Sequence, residues 1–139
     1  MKGITENFSW RNATIFAKAS TYAYRDLSEF KREFGSGDGA EVKFYDVAGT
    51  QAYSWIEGNN LCFVFRGTEP TQWADIKADL KFRKVKSMNN PAKVHGGFFE
   101  AVDHVYGQIL ETIRTHPKHR LWFCGHSLGA ALATLCAGR

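Results

Sequence analysis

Ser127 sits in the run Gly125-His126-Ser127-Leu128-Gly129, and this G-x-S-x-G spacing is what a nucleophilic hydroxyl on a sharp strand-to-helix turn requires. Glycines two positions to either side are needed because a Cβ at those places would collide with the neighbouring strand and helix. The flanks agree. Leu121-Trp122-Phe123-Cys124 is a short apolar run suited to a buried strand, and the small-residue run that begins at Leu128 is suited to a helix. The bland alternative is a serine that only caps that helix.

Attack by such a hydroxyl on an acyl carbon needs donors aimed at the developing oxyanion and a histidine held in the right tautomer by a carboxylate. The backbone N–H of Leu128, at the positive end of the following helix, is one donor. The second comes from the end of an earlier strand. Phe63-Val64-Phe65-Arg66-Gly67-Thr68 supplies one, with Gly67 letting the backbone turn and Thr68 offering both its N–H and its hydroxyl; the alternative for Thr68 is an ordinary strand end. The five histidines, at 95, 104, 116, 119 and 126, all precede Ser127. His95, before two glycines, reads as structural. His116 and His119 flank Pro117 without a third ligand at metal spacing, which marks a surface turn and no metal site. His104 falls on the solvated side of a helix, and His126 is the variable residue of the elbow.

Around these residues the pattern alternates helix and strand. Apolar positions at helical spacing cover about Ser9 to Tyr24 (Phe8, Ile15, Ala19, Tyr22), and a second short helix runs from Leu27 to Phe34 before Gly35 ends it. After the loop from Gly35 to Gly39 come three strands, Glu41 to Val47, Thr50 to Glu57 and Leu61 to Arg66, whose connections at Ala48-Gly49 and Gly58-Asn59-Asn60 predict antiparallel hairpins. A helix is expected over Thr71 to Leu80 and a short strand over Lys81 to Lys86. The clearest amphipathic helix is Phe98 to Arg114, with Phe98, Val102, Val105, Ile109 and Ile113 on one side and Glu100, Asp103, Gln108 and Glu111 on the other. No repeat, low-complexity tract or linker divides the chain, so residues 1–139 read as one domain.

With 139 residues, 44% of them apolar and 14% aromatic, the chain can bury a globular core. The net charge of +4 is concentrated between Lys77 and Lys93, where Lys77, Lys81, Arg83, Lys84, Lys86 and Lys93 face one acid, Asp79. This basic surface carries no nucleic-acid-binding motif and suits a solvated face or an anionic interface. The absence of a run of about 18 apolar residues argues against a membrane span, and the N-terminus lacks the apolar stretch of a signal peptide; a cytoplasmic protein is expected. Cys62, Cys124 and Cys136, odd in number and set in apolar runs, read as reduced core thiols.

The ordered set Phe65-Arg66-Gly67-Thr68, the segment around Trp73, His95-Gly96-Gly97-Phe98 and Gly125-His126-Ser127-Leu128-Gly129 resembles the lipase class 3 family, also called fungal-type lipases. Ala17 to Tyr24 is similar to the first helix of its bacterial members, so the similarity runs from about residue 13 to the last residue. The resemblance implies an α/β-hydrolase fold with a mixed sheet, hydrolysis of carboxylic esters of acylglycerols or related lipids, and neither a metal nor an organic cofactor. It makes Ser127 the nucleophile, Thr68 and Leu128 the oxyanion pair, Gly125 and Gly129 the elbow glycines, and the helix bearing Trp73, Ile76 and Leu80 a lid that opens at a lipid–water interface. By pattern alone that apolar triplet reads as core. Ala130 departs from the family, which often has a third glycine there. The family also places its triad aspartate and histidine well after the elbow helix, and neither position occurs in these 139 residues. The fold expected is therefore an incomplete α/β hydrolase whose sheet ends at the elbow strand, nearly inert alone and completed by further chain, by another chain or by self-association through that strand. The competing expectations are a catalytically silent lipid-binding or interaction domain with the same architecture, and another α/β hydrolase such as a thioesterase or peptidase.

Overall fold

The computed structural model describes residues 3–7, 9–37, 39–67, 84–86 and 93–139. In chain order they form α1 (Trp10–Tyr22), α2 (Leu27–Phe34), β1 (Val42–Val47), β2 (Thr50–Glu57), β3 (Asn60–Phe65), β4 (Lys84–Lys86), β5 (Lys93–His95), α3 (Gly96–Thr115), β6 (Arg120–Gly125) and α4 (Leu128–Ala137). The helix expected over Thr71 to Leu80 lies outside the described residues. The strand expected from Lys81 is described at Lys84–Lys86, where it pairs antiparallel with β5, a strand the sequence did not announce. α3 begins at Gly96, ahead of the expected Phe98, and takes both glycines into its first turn.

The main sheet has the order β1-β2-β3-β6. Its first three strands are the antiparallel meander that the hairpin turns predict, and β6 returns parallel to β3 after a crossover that contains α3. Every residue of β3 is buried, as a strand covered on both faces must be. Its alternation divides the core. Leu61, Phe63 and Phe65 face Val102, Val105 and Ile109 of α3 and Leu132, Ala133 and Cys136 of α4. Cys62 and Val64 face the opposite layer, where Ala19 and Ala23 meet Phe30, Tyr53 and Trp55. The apolar stripe of α3 thus covers the sheet as its spacing requires. Desolvation pushes the Cys124 and Cys136 thiols up to about 12 and raises that of Cys62 as well, and all three are free thiols, as expected of core positions. Among the described residues no helix is long and apolar enough to cross a membrane.

Two local features give measurable consequences. The β1–β2 turn places both central residues at positive φ, Ala48 at 50° and Gly49 at 81°, so alanine occupies a left-handed position that asparagine tolerates better. Ala48→Asn is expected to stabilise by about 0.5–1 kcal/mol, raising the thermal midpoint by about 2–4 °C in calorimetry. Inside the α3–sheet layer, the buried Tyr45 hydroxyl lies 2.9 Å from Ser54 Oγ and donates to Thr112 Oγ1 at 2.9 Å, and Thr112 in turn donates to the Gln108 carbonyl at 3.1 Å. Tyr45→Phe leaves Ser54 without that partner and is expected to cost about 1–2 kcal/mol in urea unfolding with an unchanged m-value.

Candidate active site

The parallel register of β3 and β6 pairs Phe65 with Gly125, so the two strands end level with each other and their chain exits meet. From Gly125 the backbone passes through His126 to Ser127, and α4 begins at Leu128. Ser127 has φ 58° and ψ −122°, a left-handed conformation that a residue with a Cβ adopts at a cost of about 1–3 kcal/mol. Its side chain makes no capping hydrogen bond, which removes the reading of Ser127 as a mere helix cap. The first turn is closed by the backbone: the Ser127 carbonyl accepts from the Ala130 N–H at 3.0 Å and from the Ala131 N–H at 3.4 Å, and the His126 carbonyl accepts from the Gly129 N–H at 3.0 Å. The N–H of Leu128, first residue of α4, has no acceptor within its helix and stands at the positive end of the dipole, beside the half-buried Ser127.

Three glycines let three backbones converge here. A Cβ on Gly125 would overlap the Gly129 carbonyl and lie 2.8 Å from the Ala130 nitrogen. A Cβ on Gly129 would overlap the Phe65 carbonyl oxygen and lie 3.1 Å from the Arg66 carbonyl carbon. These are the collisions with helix and strand that the G-x-S-x-G spacing anticipates. Gly67 differs from its expected role, because it is not among the glycines at positive φ. It is needed for close approach: a Cβ there would lie 2.6 Å from the His126 carbonyl oxygen and would overlap the Tyr24 hydroxyl. Beside this junction Gly67 and Leu128 line a cleft of about 510 Å³, together with Thr50, Gly97, Ala101 and Leu132.

Thr68 and the lid candidates Trp73, Ile76 and Leu80 lie outside the described residues. The histidines fall as follows. His126 is exposed at the elbow, and His104 is exposed on α3 with Nδ1 3.4 Å from Thr50 Oγ1. His116 directs Nδ1 to the Thr112 carbonyl at 2.8 Å and Nε2 towards Glu41 at 3.7 Å, which ties down the end of α3, and its ring lies 5.3 Å from that of His119. His95 is in β5. Among the described residues no group of three or more His, Cys, Asp or Glu side chains is placed to hold a metal ion, and no imidazole or carboxylate hydrogen-bonds the Ser127 hydroxyl. Sequence reasoning missed Tyr24 as a neighbour of the site, since nothing local to the first helix points across the sheet to the elbow.

A nucleophile elbow at the end of a parallel strand pair, with helices on both faces of a mixed sheet, defines one part of the α/β-hydrolase fold. The model of the lipase (class 3) family matches residues 62–139, more than half of the chain, and the chain belongs to that family. It is 34% identical over 79 residues to the chloroplastic phospholipase A1 PLIP1 of Arabidopsis thaliana, covering 53% of this chain and 12% of that protein. It is also 34% identical over 83 residues to a lipase of Rhizomucor miehei, covering 55% of this chain and 22% of that one. The fold is shared with the Rhizomucor miehei triacylglyceride lipase (TM-score 0.66, 20% identity, 94% of this chain and 55% of that chain) and with lipase II from Rhizopus niveus (TM-score 0.68, 22% identity, 90% and 52%). The chain spans about half the length of these lipase structures.

Proposed function

We propose that this chain carries the nucleophile and the oxyanion side of a serine-dependent hydrolase acting on carboxylic esters of acylglycerols or related lipids. The observation that carries the reading is the backbone of Ser127: a hydroxyl with no structural hydrogen bond is held at a strained turn, beside a free helix N–H, by three glycines that nothing larger can replace. Strain at a residue whose side chain serves no local structure is what a positioned nucleophile looks like. Membership of the lipase class 3 family and the names of the relatives, lipases and a phospholipase A1, support the choice of lipid esters.

In this mechanism Ser127 Oγ adds to the acyl carbon while its proton passes to a histidine. The oxyanion is received by the N–H of Leu128 and by Thr68, the alcohol leaves with the proton returned from the imidazole, and water then hydrolyses the acyl-serine. The family resemblance assigns that histidine and its aspartate to loops that come well after the elbow helix. The segment bearing Trp73, Ile76 and Leu80 is proposed as a lid at the lipid–water interface.

A fluorophosphonate probe tests the assignment. Labelling of the full-length protein at Ser127, lost in Ser127→Ala, is the expected result. No labelling of the full-length protein would favour a catalytically silent lipid-binding domain in its place.

A further inference from the structure

The loop between α1 and α2 reaches the elbow, and it is held there from both sides. Ala23 is fully buried and its N–H bonds the Ala19 carbonyl at 2.9 Å, closing α1. The Arg25 N–H bonds the Tyr22 carbonyl at 2.9 Å. On the far side the Arg25 carbonyl accepts from the Tyr53 hydroxyl at 2.9 Å, and the Tyr53 ring is stacked on Phe30 with centroids 4.3 Å apart and planes 6° from parallel. Tyr24 therefore leaves a fixed piece of backbone.

Its side chain crosses to the site. The ring stands edge-on to His126 at 6.5 Å, and the Arg66 guanidinium lies 5.6 Å from its centroid. Arg66 is held in turn by Gln51, whose side-chain oxygen accepts from Nη1 at 2.9 Å and whose carbonyl accepts from the Arg66 N–H at 3.0 Å. The Tyr24 hydroxyl abuts Gly67 so closely that a Cβ there would overlap it, and the same Cβ would lie 2.6 Å from the His126 carbonyl oxygen. Gly67 is thus clasped between the tip of Tyr24 and the backbone of the elbow.

We infer that Tyr24 is a positioning residue of the ester-hydrolysing site: it presses the end of β3 against the elbow and so fixes the separation between the backbone leaving Gly67 and the N–H of Leu128. The inference rests on Ser127 being the nucleophile. Its consequence is kinetic, because an oxyanion must find its donors within about 2.7–3.1 Å, while a misplacement of about 1 Å costs about a hundredfold in rate. Tyr24 acts on the site through Gly67 and the elbow backbone and is not itself a catalytic group. Removing the hydroxyl loosens the clasp, and removing the ring opens it.

The test uses full-length protein, a fluorophosphonate and a soluble short-chain p-nitrophenyl ester. Tyr24→Phe is expected to lower both the phosphonylation rate constant and kcat about tenfold, and Tyr24→Ala about a hundredfold, with KM within about twofold of the parent. The amide resonances of Gly67, His126 and Leu128 should shift in Tyr24→Phe while that of Ile109 stays in place, and the thermal midpoint of this variant should be retained. Parental rate constants in both Tyr24 variants, with Ser127 still labelled, would overturn the inference and leave the nucleophile standing. A loss of rate matched by a fall in thermal midpoint and resonance shifts throughout the chain would reduce Tyr24 to scaffold and overturn it too. A parent protein that is not labelled at Ser127 would overturn the nucleophile assignment and this inference together.

Discussion

Ser127→Gly is expected to raise the thermal midpoint while reducing fluorophosphonate labelling to background. The two effects have one origin. At φ 58° and ψ −122° the serine Cβ is crowded by its own backbone, a strain of about 1–3 kcal/mol that glycine does not feel. Against this stands the extra conformational freedom that glycine adds to the unfolded chain, about 0.5–1 kcal/mol. The net gain is about 1–2 kcal/mol, which for a domain of this size is about 3–6 °C. Ser127→Ala separates the contributions, since alanine keeps the Cβ and with it the strain; it should lose labelling with no rise in midpoint. No hydrogen bond of the native fold is given up in either variant, because the hydroxyl caps nothing. A midpoint unchanged or lowered in Ser127→Gly, measured beside Ser127→Ala, would show that the turn is not strained and would remove the main support for reading it as an elbow.

The elbow was legible in the sequence because its requirements are local. Gly125, Ser127 and Gly129 lie within one turn, and the flanking periodicity switches from strand to helix across them. The meander was legible for a similar reason: Ala48-Gly49 and Gly58-Asn59 are tight turns between β-rich runs, and the pairing of Trp55 with Cys62 and of Val42 with Trp55 follows from loop length. α3 was visible through its apolar stripe, though not its start, since Gly96 and Gly97 are poor helix formers and carry no periodicity of their own. What stayed hidden is tertiary. Gly67 was read as a turn glycine from its place at the end of a strand, whereas its need is for close approach to a carbonyl that only the parallel pairing of β3 with β6 brings near. Tyr24 reaches the same point from a loop on the other side of the sheet, and no spacing within its own segment encodes that contact. Short β5 escaped because a three-residue strand has too few positions to show alternation.

Gly129→Ala should be among the most destabilising single-methyl additions in the chain. The new Cβ would fall on the Phe65 carbonyl oxygen, with the Phe65 carbon at 3.0 Å and the Arg66 carbon at 3.1 Å. The first two belong to the last residue of β3, the strand buried on both faces, where Phe65 is 0% exposed, and the third to the backbone of the residue that follows it. A flexible side chain could swing away, but this strand cannot move without breaking its pairing with both β2 and β6. The helix must therefore lift, carrying Leu132 and Ala133 out of their contacts with the sheet. Overpacking of this kind costs about 3 kcal/mol, equivalent to more than a hundredfold in the unfolding equilibrium. Gly107 supplies the internal control: it lies within α3 with nothing inside 4 Å of an added Cβ, so Gly107→Ala should instead stabilise by about 0.8–1 kcal/mol through helix propensity alone. Opposite signs for the same chemical change, read from two urea unfolding curves, would establish that α4 is seated on β3 at the distance that only glycine allows. The lift also moves the Leu128 N–H away from Ser127, so under conditions where Gly129→Ala remains folded its phosphonylation rate should still fall below that of the parent. A variant that matched Gly107→Ala in stability would show that helix and strand are not in contact here, and the proposed oxyanion site would have to be redrawn.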